Sequence, residues 1–220
     1  HGFNDDPLLL GWQRTPEQLY EWGHVYGHLF KKYGKQHPEF FALQPAGTRE
    51  LDLGRWPECP TMCLANEELI RVTASNLVAR FKRSPGIKTL SICLPDGGNP
   101  SVCMCSACRR LDPVNAPPIK LYFYALLRQK IDYVSLTDRV LDFSNRIAEL
   151  VTAECPGKLL SVYVYSDYVH PPVTVKPHPS LVLLSVSGEY ASREQANWAL
   201  DNISAWSRFG NQILWRPNAL

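Results

Sequence analysis

Apolar positions along the chain switch repeatedly between helical spacing and unbroken runs. From Pro16 to Tyr33, Leu19, Trp22, Tyr26, Leu29 and Phe30 recur on one helical face behind Thr15, and Gly34 ends the pattern, which predicts a capped amphipathic helix. The short FFAL run around Phe41, followed by AlaGlyThr, reads as a small strand and turn. Asn66 heads a second helix with Glu67 and Glu68 in its first turn, Lys82 and Arg83 in its last, and SerProGly after it. Thr89 to Leu94 is apolar or small without helical period, hence a strand.

A long connection from Asp96 to Tyr133 then carries a cysteine cluster and several prolines, and such loops are usually functional or disordered; the cysteines favour function. Ser135 to Glu154 is the next predicted helix, with Ser135 and Asp138 at capping-box spacing and Val140, Leu141, Ile147, Leu150 and Val151 facing inward. LLSVYVYSD from Leu159 and LVLLSVSGE from Leu181 are strands joined by the proline-rich HPPVTVKPHP loop. A last helix from Ser192 to Arg208 stops at Gly210, and Gln212 to Arg216 is the final strand.

Near-continuous apolar strands alternating with helices argue for an α/β fold with a mainly parallel, helix-covered sheet. Four clear strands are too few to close an eight-stranded barrel. The chain is therefore either an open doubly wound domain or part of a (β/α) barrel lacking its outer strands. No fixed-period repeat appears.

The chain has 220 residues and 45% hydrophobic content, enough to bury a large core in one domain or most of one. No run is long enough to span a membrane, and no signal peptide is visible. It begins at His1 without a methionine and stops just after a strand, as an excised or mature segment would. The net charge of +2 is spread along the sequence, which gives no basis for nucleic-acid or membrane binding.

Thr89 to Cys108 concentrates the candidate chemistry: a buried strand runs into Asp96, two glycines and CMCSAC. Active sites of α/β folds collect where parallel strands end. Asp96 and Glu189 both follow predicted strands, so a parallel sheet would bring them to one edge despite their separation. Paired carboxylates are what glycoside hydrolysis needs, one protonated and one ionised. The simpler alternatives are an Asp96 that bonds its own turn and a Glu189 that is a solvated loop acid. Tyr165 and Asp167, ending LLSVYVYSD, would bond sugar hydroxyls or replace one member of the pair; a plain cap is the alternative for Asp167.

Cys103, Cys105 and Cys108, with Cys63 as fourth ligand, would form a structural tetrahedral zinc site that pins the long loop. Disulfide pairing among these and Cys59 is the rival reading, favoured if the protein is exported. An iron–sulfur cluster would want more regular spacing. Seven cysteines leave at least one unpaired, and Cys93 and Cys155 read as buried or free thiols. His24 and His28 lie one helical turn apart, but no acid follows His24 as a metalloprotease motif requires, so they read as an ordinary helix face. Trp215 ends a strand and would stack on a sugar ring.

At HPEFFAL (His37 to Leu43), TMCLANEE (Thr61 to Glu68), LPDGGNPSVCMCSACRRLD (Leu94 to Asp112) and LLSVYVYSDY (Leu159 to Tyr168), the chain resembles a bacterial family known only as domain of unknown function 4838. The resemblance runs over nearly the whole chain in the same order. It implies a glycosidase-type (β/α) TIM barrel, similar in layout to α-glucuronidases and hexosaminidases, and incomplete in this chain. It also implies an oligo- or polysaccharide substrate and a carbohydrate-active protein exported to the periplasm or cell exterior.

Residue by residue, the family pattern is matched by His1 closing an early strand, by Cys63 before the AsnGlu helix start, by Asp96 with Cys103, Cys105 and Cys108, and by Glu189. Relatives tend to end the last strand with tryptophan and an acid, whereas here Trp215 is followed by Arg216. Arg216 would instead hold an anionic sugar group through its planar fork. The resulting expectation is a glycoside hydrolase with Asp96 and Glu189 as acid and base or nucleophile, and His1, Tyr165, Asp167, Trp215 and Arg216 positioning the sugar. The alternatives are a non-catalytic glycan-binding domain and a metal- or disulfide-stabilised interaction module.

Overall fold

A computed structural model describes residues 21, 23, 25–44, 47–49, 61–95, 102–123, 129–186 and 192–216. His1, Trp12, Trp22, His24, Cys59, Asp96 and Glu189 lie outside the described residues. The fold is α/β. Its principal sheet has four strands, β1 (Thr89–Ser91), β4 (Leu159–Val164), β5 (Leu181–Ser185) and β6 (Ile213–Trp215), in that spatial order and parallel at every pairing. Each of these strands lies beside the one before it in chain order. Between β1 and β4 the chain inserts a separate antiparallel hairpin, β2 (Pro118–Phe123) with β3 (Gln129–Val134).

Helix α1 (Gly27–Tyr33) ends at Gly34, whose φ is an ordinary helical −54°. Glycine is needed there for space, since a Cβ would lie 2.7 Å from the Phe30 carbonyl oxygen. Helix α2 (Glu67–Arg83) starts as its sequence requires: Asn66 Oδ1 accepts the Leu69 N–H at 2.8 Å, and acidic and basic residues occupy the first and last turns. Such a cap stabilises a helix by about 1 kcal/mol.

A single turn, α3 (Ser106–Arg109), interrupts the cysteine segment. Helix α4 (Thr137–Glu154) links β3 to β4 and packs beside α2, with ion pairs between Arg146 and Glu67 and between Lys82 and Glu154 tying the two in the same direction. Helix α5 (Arg193–Ser207) carries a complete capping box between Ser192 and Gln195, and Gly210 at φ 78° supplies the left-handed turn after it.

One apolar core joins these elements. Leu29 of α1, Phe81 of α2, Leu90 of β1, Phe143, Ile147 and Val151 of α4, Leu160, Leu183 and Trp206 are buried in the same cluster. Fully burying each such side chain contributes roughly 1.5–3 kcal/mol.

The structure corrects several local expectations. The FFAL segment is a 3-10 turn, Pro38–Phe40, followed by a lone bridge from Phe41 to Met62. The Asp96-to-Tyr133 connection contains α3 and the β2–β3 hairpin, in which Lys120 pairs with Asp132 across the strands. The capping box at Ser135 does not form: Ser135 Oγ bonds Thr137 Oγ1 at 2.9 Å, and the Asp138 carboxylate turns to the 173–175 loop. Leu150, expected to face inward, is 42% exposed, because it lies at the outer margin of the buried arc of α4, beyond Phe143.

Candidate metal centre and the carboxyl edge of the sheet

Cys63 meets the distant CMCSAC cysteines, Cys103, Cys105 and Cys108, because one short segment, residues 40–43, is hydrogen-bonded on both sides. On one side Cys63 N donates to Phe40 O at 2.8 Å and Ala42 N to Thr61 O at 3.0 Å. On the other, Met104 N donates to Leu43 O at 2.9 Å, and Leu43 N donates to the Cys103 sulfur at 3.2 Å. Cys105 is the N-cap of α3, its sulfur accepting the Cys108 N–H at 3.4 Å, so one helical turn brings Cys108 back to the same point.

The sulfurs of Cys63, Cys103, Cys105 and Cys108 all lie within 4.8 Å of one another, an arrangement that could hold a metal ion. Cys63 Sγ is 3.7 Å from Cys105 Sγ and 3.8 Å from Cys108 Sγ. A disulfide requires about 2.05 Å, and all six described cysteines are free thiols. Cys93 and Cys155 stand apart from the cluster and are buried. Within the cluster the shared S–H hydrogen bonds separate the thiols: bonds from Cys108 and Cys63 hold Cys103 far below the ordinary thiol range, while Cys63 is pushed up to about 12 by its bond to Cys103.

Two arginines flank the cluster. Arg139, buried in the first turn of α4, donates from Nη1 to the Cys103 carbonyl at 2.8 Å and forms an ion pair with Asp112, which also accepts the Tyr133 hydroxyl at 2.8 Å. Arg49 donates from Nη1 to the carbonyls of Phe41 and Glu39. Neither arginine stands out in the sequence as a site residue. The one available signal for Arg139 was a charge beside the apolar stripe of α4, one turn ahead of Phe143.

At the carboxyl edge of the sheet the strands deliver Tyr163, Tyr165, Asp167 and Arg216. Arg216 N donates to Ser185 O at 2.9 Å, continuing the β5–β6 register. Its guanidinium donates from Nη1 to the Tyr163 hydroxyl at 3.2 Å and lies 5.6 Å from the centre of that ring. The Tyr163 and Tyr165 rings meet edge to face at 6.4 Å. Strand alternation thus puts Tyr163, Tyr165 and Arg216 on one face. Trp215, 52% exposed, falls on the opposite face.

Asp167 sits in the 3-10 turn Ser166–Tyr168 after β4, and its carbonyl accepts the Leu136 N–H at 2.9 Å at the start of α4. Burial raises its carboxyl from the usual acidic range to about 6, opposed by a hydrogen bond from Ser166. Ser166 holds φ at 49°, a strained value for a residue with a side chain, immediately before this acid.

The family model for a domain of unknown function, DUF4838, matches residues 11–215, and the chain belongs to that family. No curated protein matches the chain.

Proposed function

We propose that this DUF4838 chain is part of a glycosidase-type (β/α) barrel that hydrolyses a glycosidic bond at the carboxyl edge of its parallel sheet, and that its four clustered cysteines hold a structural zinc ion. The observation that carries the reading is the order β1-β4-β5-β6, parallel throughout, with each strand beside its predecessor. A barrel arc advances in this one direction, whereas a doubly wound sheet reverses at a switch point. In the sequence Asp96 and Glu189 follow β1 and β5 within a few residues, and the proposal assigns both to the edge that holds Asp167 and Arg216.

Asp167 supports the catalytic reading as an acid. A carboxyl that keeps its proton up to about pH 6 can protonate a leaving group near neutrality, the task one of the two carboxyls must perform. In this scheme Asp96 and Glu189 act as the pair, with Asp167 able to replace the acid. His1, Tyr165 and Arg216 bind the sugar, Arg216 through an anionic substituent. Trp215 belongs to the sugar-binding set only if the substrate reaches the opposite face. Export to the periplasm or cell exterior, where polysaccharides are degraded, is part of the proposal.

For the cysteines, a tetrahedron with zinc–sulfur bonds of about 2.3 Å has sulfur–sulfur edges of about 3.8 Å, and the Cys63 sulfur stands 3.7 and 3.8 Å from two of its neighbours. Four thiolates fill the coordination sphere, so zinc there holds the loop and has no open position for substrate or water.

The test is hydrolysis of a broad glycoside and polysaccharide panel by the full-length protein beside Asp96→Asn, Glu189→Gln and Asp167→Asn. Cleavage lost in the first two with folding intact supports the pair. Persistence in both, with loss in Asp167→Asn, moves the acid to Asp167. Binding without cleavage by the unaltered protein overturns the hydrolase in favour of a glycan-binding domain.

A further inference from the structure

We propose that Arg49 is a positioning residue of the cysteine centre, the cation that offsets the negative charge of four thiolates around a divalent ion. This rests on the zinc reading above.

Zinc bound by four thiolates carries a net charge of −2, and a charge removed from water needs compensation by hydrogen bonds or an opposite charge. The described hydrogen bonds to sulfur from the backbone come from Leu43 N and Cys108 N. Two cations are near. Arg139 touches the Cys103 carbonyl, but its charge is already matched by Asp112 in a buried ion pair. Arg49 differs: its hydrogen bonds to the backbone go to the neutral carbonyls of Glu39 and Phe41, and among the described residues it forms no ion pair with a carboxylate.

Those carbonyl bonds fix where the Arg49 charge lies. Phe41 adjoins Phe40, whose carbonyl accepts the Cys63 N–H at 2.8 Å. Phe41 is also close along the chain to Leu43, which donates to the Cys103 sulfur. Arg49 is thus tied to the same segment that draws Cys63 and Cys103 together. Burial works against the Arg49 charge, and a side-chain hydrogen bond to Cys63, with Cys103 and Cys105 close enough to act on the guanidinium, offsets it. Groups that bond to metal ligands orient them and tune affinity, and their loss typically weakens binding by about 10- to 100-fold.

The experiment measures zinc affinity by chelator competition in the full chain for wild type, Arg49→Lys and Arg49→Met, with cobalt(II) substitution to read the thiolate charge-transfer band. The expected result is one zinc per chain in wild type, a dissociation constant raised roughly 10- to 100-fold in Arg49→Met, and substantial recovery in Arg49→Lys. The zinc-saturated variants should unfold at the same temperature, which a merely structural role of Arg49 would not allow. An affinity in Arg49→Met within threefold of wild type overturns the inference and leaves the metal centre standing. Failure of wild type to take up either metal overturns both.

Discussion

Arg139 and Asp112 face each other in a site closed to water, their side chains 1% and 3% exposed, with Arg139 Nε donating to Asp112 Oδ1 at 2.9 Å. The pair joins α4 to the cysteine segment, because Arg139 also holds the Cys103 carbonyl. Removing one partner leaves an uncompensated buried charge, which typically costs about 3–5 kcal/mol. Arg139→Met and Asp112→Leu should each lower stability by roughly that amount, and the double variant should lose less than the sum. Urea unfolding measures this, and single variants within 1 kcal/mol of wild type would refute a structural role for the pair.

The cysteine centre should stabilise the fold in proportion to its occupancy. At free zinc about 1,000-fold above the dissociation constant, binding contributes about 4 kcal/mol, or roughly 8–16 °C in thermal midpoint for a chain of this size. Cys63→Ser and zinc-stripped wild type should both show that drop in calorimetry. Re-addition of zinc should restore the stripped wild type fully and Cys63→Ser incompletely.

Asp167 should leave a signature opposite to that of an ion-paired acid. Its carboxyl is raised to about 6 in the fold by burial, above the usual 3.8. Both folded and unfolded chains carry the proton below pH about 4, so its favourable contribution is intact there. As pH rises toward 6 the unfolded chain releases its proton first, and stability falls before levelling off. The size is on the order of 2 kcal/mol once partial solvent access is allowed for. Asp167→Asn should flatten the stability profile between pH 4 and 6 and stabilise the chain at pH 8. An unchanged slope would show that the acid is solvated.

Asp138 anchors the proline-rich loop. Its carboxylate accepts Val173 N at 2.9 Å, Thr174 N at 2.6 Å, Thr174 Oγ1 at 2.7 Å and Val175 N at 2.8 Å. Hydrogen bonds to a charged group contribute about 1.5–3 kcal/mol each at most and not additively. Asp138→Ala should therefore cost several kcal/mol and open residues 171–176 to limited proteolysis, whereas a protease-resistant loop would mean that Pro171 and Pro172 hold it unaided.

The elements of the principal sheet were legible because their signals are local. The apolar runs at Leu159 and Leu181 became β4 and β5, and Asn66, Ser192 and Gly210 capped or ended helices as their chemistry predicts. The hairpin β2–β3 was not legible. Prolines at its entry and its mixed polarity resemble a loop, and its pairing from Pro118↔Val134 to Phe123↔Gln129 is fixed only when both strands meet. Ser135 and Asp138 had capping-box spacing, yet Asp138 gained more from the three consecutive amides of residues 173–175.

By itself the sequence determined the family, the alternation of strands and helices, and the set of cysteines suited to a metal, since spacing, caps and apolar period act over a few residues. Tertiary structure decided which distant groups would meet: Cys63 with Cys105 across 42 residues, Arg139 with Asp112 across 27, and Arg216 with Tyr163 across 53. Each of those contacts requires long loops to close and water to leave. Their formation depends on the whole core, which no single segment of the sequence encodes.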